Sequence, residues 1–94
     1  MNKYESVIII NSSLEESKIK AIIEKFSSLI NEHGKVENVN EMGSKKLAYP
    51  IKKQNEGYYV VFNFEAEPSF IAELERIYRI TDEVIKFIVV KQEN

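Results

Sequence analysis

The apolar residues of this 94-residue chain repeat at two different periods, and the order in which those periods succeed one another leaves few folds open. Tyr4 to Ile10 (YESVIII) is short and β-branched, which reads as a strand. Behind it Ile19, Ile22, Ile23, Phe26, Leu29 and Ile30 step by threes and fours, the spacing of one helix face. Ser13 with Glu16 three residues on matches a capping box and sets the start of that helix. Gly34 is expected to end it as a C′ residue. The period then returns to two: Leu47, Tyr49 and Ile51 alternate with Lys46, Ala48, Pro50 and Lys52. Lys53 to Gly57 (KQNEG) is expected to form a hairpin turn, and Tyr58 to Glu65 (YYVVFNFE) a third strand. Pro68 suits the first turn of a second helix, with Glu67 or Ser69 near its cap. Phe70, Ile71, Leu74, Ile77 and Tyr78 form the apolar face of that helix. A short turn at Thr81 to Glu83 leads into a last strand, Val84 to Val90.

The resulting order, β-α-β-β-α-β, is the split βαβ pattern. It predicts an α+β, ferredoxin-like fold: a four-stranded antiparallel sheet with two helices on one face, in a single domain spanning residues 1–94. Pro50 donates no amide hydrogen, so the second strand belongs at a sheet edge. Val36 and Val39 are offset by three, which predicts an irregularity between Lys35 and Asn40; Gly43 allows a further bulge. The first and third strands are then central and the fourth is the other edge.

Helices on one face leave the other open. Tyr4, Ile8, Ile10, Tyr58, Val60, Phe62, Phe64, Phe87 and Val89 are assigned to the covered side. Val7, Ile9, Tyr59, Val61, Ile88 and Val90 fall on the open side with Glu5 and Lys86. An uncovered apolar patch rimmed by charge marks an interaction surface, although strands carry β-branched residues in any case.

Charge is distributed unevenly. Thirteen Lys and Arg stand against 15 Asp and Glu, a net of −2, yet Gly43 to Lys53 holds four lysines and no acid. Two readings of those lysines remain open at this point. Lys and Pro blunt an edge strand against pairing with copies of itself, and Lys also contacts nucleic-acid phosphates.

Catalytic constellations are missing. There is no cysteine, hence no disulfide, thiolate ligand or thiol nucleophile, and a cytosolic setting is expected. His33 is the single histidine; beside Gly34 it suits the negative end of a helix rather than acid–base work. The loop Asn11-Ser12-Ser13-Leu14 has neither the arginine of an acylphosphatase-like site nor a C-x-x-C pair. No cofactor, metal, membrane association or small-molecule substrate is expected. The segment EGYYVVFNF resembles an RNA-stacking motif superficially. It has Glu56 where a basic residue belongs, Tyr59 where a small one does, and Val60 and Asn63 at stacking positions, so base stacking on the sheet is not expected.

The chain as a whole resembles the bacterial small-subunit ribosomal protein six family. The resemblance is carried by Tyr4-Glu5, by Gly43 to Ile51 (GSKKLAYPI), by Gly57 to Tyr59 and by Val84 to Lys91 (VIKFIVVK). It implies a non-enzymatic role: binding the central domain of 16S ribosomal RNA in the small subunit of the cytoplasmic ribosome, together with small-subunit ribosomal protein eighteen. It further implies RNA contacts at Lys3, Lys45, Lys46, Lys86 and Lys91, with the partner on the sheet side at Val7, Ile9, Tyr59, Val61, Ile88 and Val90. Asn2 departs from a position often basic in the family, and the chain stops at Asn94 where many members run on into a tail. The alternative is a ferredoxin-like interaction or ligand-sensing module that oligomerises through its open sheet face.

Overall fold

Each segment of constant apolar period becomes one element of structure. The computed structural model describes residues 1–51 and 53–92. In chain order the elements are β1 (Asn2–Asn11), α1 (Glu16–His33), β2 (Gly34–Ile51), β3 (Gln54–Ala66), α2 (Pro68–Ile80) and β4 (Val84–Lys91). The strands lie in the order β2-β3-β1-β4, every pair antiparallel. The two central strands and the two edges are therefore those expected, with the Pro50 strand outermost. Lys52 and Asn94 lie outside the described residues, and with them the alternating position given to Lys52 and the reading of the chain's end.

One face of the sheet carries both helices. Ile8, Ile10, Val60, Phe62 and Phe64 point into a core closed by Ile19, Ile22, Ile23, Phe26 and Ile30 of α1 and by Phe70, Leu74 and Tyr78 of α2. Full burial of a side chain of this size contributes roughly 1.5–3 kcal/mol. The two helices meet ring to ring: Phe26 and Tyr78 pack edge to face with centroids 4.8 Å apart. His33 ends α1 and stacks on Phe70 of α2 with centroids 4.6 Å apart, so the lone histidine ties the helices together.

Local expectations fail at three places. Ser13 does not cap α1; its amide and hydroxyl both donate to Asn11 Oδ1, and Glu15 takes the N-cap position without a side-chain bond. The competing Asx turn wins because Asn11 sits only two residues back. Gly34 is not a left-handed C′ residue. Its backbone is extended, and α1 runs straight into β2. Glycine is required there because a Cβ would collide with the Glu65 carbonyl oxygen of the neighbouring strand. The hairpin is tighter than KQNEG implied: Ile51 pairs with Gln54, Lys53 takes a φ of 65°, and Gln54 to Gly57 already belong to β3. The start of α2 is as expected: Glu67 takes the N-cap position, with no side-chain bond, and Pro68 occupies the first turn.

The irregularities of β2 fall where Val36 and Gly43 placed them, with register shifts between Val36 and Asn38 and between Glu41 and Gly43. A third is larger. The register steps from Lys46↔Glu56 to Ile51↔Gln54, so Leu47 to Pro50 face only Asn55. The extra length leaves the plane of the sheet.

Candidate functional site

The open face is laid out in rungs by the strand registers. Val61, Val7 and Ile88 form one rung across β3, β1 and β4, and Tyr59, Ile9 and Lys86 form the next. Glu5 stands between Asn63 and Val90 on the side away from Lys86. The six apolar residues assigned to this face are thus brought together on it. Val7, Ile9, Tyr59, Lys86, Phe87 and Ile88 line a shallow depression of about 230 Å³. Ile88 and Val90 are 56% and 49% exposed, unusually high for large aliphatic side chains.

Ile9 is the exception on this face. It is buried, in a small cluster with Leu47 and Ile85. Leu47 comes from the irregular part of β2, which folds over one end of the open face and reaches β4 at the far edge. Gly57 makes this closure possible: a Cβ there would collide with Ile9, in the same small space that Leu47 and Ile85 border. A bulge in β4 supplies the third member. The β1–β4 register shifts between Ile9↔Lys86 and Ile10↔Val84, so Val84 joins the helix-side core and Ile85 turns to the open side. Simple alternation assigns Ile85 to the covered face, and only the position of the bulge corrects it. Ala48, Tyr49 and Ile51 then form a wall facing Tyr59 and Lys86 across a second depression. Tyr49 is exposed there, a surface aromatic that its place in an alternating strand did not single out.

The five lysines divide into two groups. Lys3 lies beside Glu65 at one end of the open face and forms an exposed ion pair with Glu37 at 3.8 Å, a contact of small energetic worth. Lys91 pairs with Tyr4 next to it but belongs to the opposite sheet face, two residues beyond Val89. Lys45 pairs with Gly57 and Lys46 with Glu56 at the other end of the sheet, both exposed. Lys86 faces that end, across the depression from Tyr49. The β1 residues opposite these ends, Lys3 and Asn11, are separated by about 27 Å of strand. Among the described residues Lys45, Lys46, Lys86 and Lys91 form no ion pair with a carboxylate. Near Lys45 the Tyr58 hydroxyl donates to Glu41 at 2.9 Å; loss of solvation and then this carboxylate raise its pKa.

Free ammonium groups beside an apolar depression can hold a polyanion and a protein at neighbouring places. Among the described residues no group of His, Asp or Glu side chains is gathered to hold a metal ion, and no helix is long and apolar enough to cross a membrane.

The family model described as Ribosomal protein S6 matches residues 3–91. The small ribosomal subunit protein bS6 of Clostridium novyi is 55% identical over 94 residues, covering 99% of each chain. The protein of the same description from Caldanaerobacter subterraneus is 43% identical over 95 residues, covering both chains fully. In three dimensions the chain is similar to the crystal structure of 30S ribosomal protein S6 from Thermotoga maritima. The TM-score is 0.92 at 36% identity, covering 97% of this chain and 87% of that one.

Proposed function

Because the chain belongs to the small-subunit ribosomal protein S6 family, we propose that it binds the central domain of 16S ribosomal RNA as a pair with small-subunit ribosomal protein eighteen. The RNA meets Lys3, Lys45, Lys46, Lys86 and Lys91. The protein partner covers Val7, Ile9, Tyr59, Val61, Ile88 and Val90, with Ile9 acting from beneath because Leu47 already shields it. The observation that carries this reading is the exposure of Ile88 and Val90 on the open face, near lysines that form no ion pair among the described residues.

The chemistry is that of a scaffold. Ammonium groups neutralise phosphates and release counterions, which positions RNA without reading its sequence. A net charge of −2 limits what the chain does alone. Five lysines in two groups give weak affinity, and a second protein seated between them adds area and charge.

Two lysines test the assignment. Lys45→Glu with Lys46→Glu weakens RNA binding by the pair at least tenfold, on the order expected for two charged contacts. Thermal unfolding stays within the small range of surface substitutions. A loss of stability matching the loss of binding would make both lysines structural. A stable homo-oligomer that forms without RNA and fails to sediment with small subunits would instead favour self-association through the open face.

A further inference from the structure

Lys86 borders three depressions. Two are on the open face, and the third, of about 250 Å³, runs between the end of α2 and the β4 edge. The third is bounded by Tyr78, Arg79, Val84, Ile85, Lys86 and Phe87. At its wall the Arg79 guanidinium lies over the Phe87 ring, 5.8 Å from the centroid. That separation lets the negative face of the ring attract the cation. A guanidinium held over a ring keeps its in-plane N–H donors for another acceptor.

The neighbouring charges leave this pair unoccupied. Among the described residues neither Arg79 nor Lys86 forms an ion pair. Of the acids in the turn between them, Glu83 pairs with Lys18 at 3.8 Å, and Asp82 is exposed and has no ion-pair partner among the described residues. Arg76, one turn back on α2, is different: Glu73 holds it at 2.6 Å. Two arginines of one short helix are therefore in opposite states, one neutralised and one free beside a lysine.

We propose that Arg79 and Lys86 clamp one phosphate of the RNA backbone in this groove, an inference that rests on the RNA-binding reading above. The guanidinium offers paired donors that match two phosphate oxygens, and the ammonium of Lys86, a residue that also lines the groove, adds a point charge. RNA suits the groove better than an acidic protein segment. The apolar face for the protein partner begins on the other side of Lys86, so the groove stays open when that face is covered. Lys86 then stands where the two ligands meet, and Arg79 is an RNA contact beyond the five lysines.

The test uses the chain assembled with its protein partner and a central-domain fragment of 16S ribosomal RNA. Arg79→Gln weakens binding about tenfold. It also reduces the log–log salt slope by about 0.9, the value per contact on duplex DNA. Arg79→Lys keeps the slope and recovers part of the affinity. Arg76→Gln, with the same charge change on the same helix, leaves both as they were. Unchanged binding by Arg79→Gln, or an equal loss in Arg76→Gln, overturns the clamp. Loss of partner capture by Arg79→Gln in the absence of RNA overturns it too, since an acidic protein segment then fills the groove. If the unsubstituted pair does not bind the fragment, the proposed function fails and the clamp with it. If that pair binds and Arg79→Gln matches it, the clamp alone fails.

Discussion

Between Tyr4 and Ile8 the inward row of β1 is interrupted by Ser6, which is fully buried. Its hydroxyl and that of Tyr78 share a hydrogen bond of 2.8 Å, so two buried polar groups satisfy each other under α2. Ser6→Ala or Tyr78→Phe alone leaves one hydroxyl unpartnered and costs about 1–3 kcal/mol. The double substitution removes both groups, and a double-mutant cycle by denaturant unfolding yields a cost smaller than the sum of the two. Additive costs would mean that the hydroxyls are satisfied elsewhere. Burial also pushes the Tyr78 phenol well above its ordinary value, with the Ser6 bond acting weakly in the other direction. Above about pH 10 the unfolded chain releases this proton while the folded chain keeps it. The unfolded state then binds fewer protons, and stability falls as pH rises. Tyr78→Phe lacks this contribution, so its stability declines less between about pH 9 and pH 11. Alternation alone could place Ser6 inward but not identify its partner, because the contact spans 72 residues of sequence.

At the scale of the element, the Leu47 to Ile51 segment carries the lesson. Its period of two and its proline identified an edge strand, and β2 is one. The period said nothing of the step in register, in which four residues oppose one and lift Leu47 over the sheet. That step depends on Gly57, on the next strand, and on a bulge in β4 that turns Ile85 outward. Leu47→Ala is therefore expected to cost about 2 kcal/mol in thermal or denaturant unfolding, the low end for a buried leucine in a small cluster. Tyr49→Ala, at an exposed position of the same segment, changes stability little. Equal effects at the two sites would place the closure elsewhere. Helix ends were the least legible elements. Ser13 and Gly34 are residue types that suit caps, and both are used for other contacts: an Asx turn in one case and a close strand approach in the other.

At the scale of the molecule, the strand order, the covered core and the open apolar rungs all follow from the sequence of periods. The sheet faces assigned in β1 and β3, and in β4 beyond its bulge, could be read in advance, but those of the irregular β2 could not. The distribution of charge could not. Lys3 and Lys91 gather at one end, Lys45, Lys46 and Lys86 at the other, with Val7, Val61 and Ile88 between them. On the function proposed above, this arrangement separates two roles on one sheet: apolar rungs for a protein, charged ends for a polyanion. It also explains how an acidic chain could serve as an RNA-binding subunit, since each function is incomplete by itself. The most direct measurement is the affinity for a central-domain fragment of 16S ribosomal RNA at fixed salt, taken for the chain alone, for small-subunit ribosomal protein eighteen alone and for the two together. The pair is predicted to bind at least tenfold more tightly than either protein, with the gain lost in Ile88→Asp, whose 56% exposed side chain leaves the fold intact. Equal affinity with and without the partner, or an undiminished gain in Ile88→Asp, would contradict it.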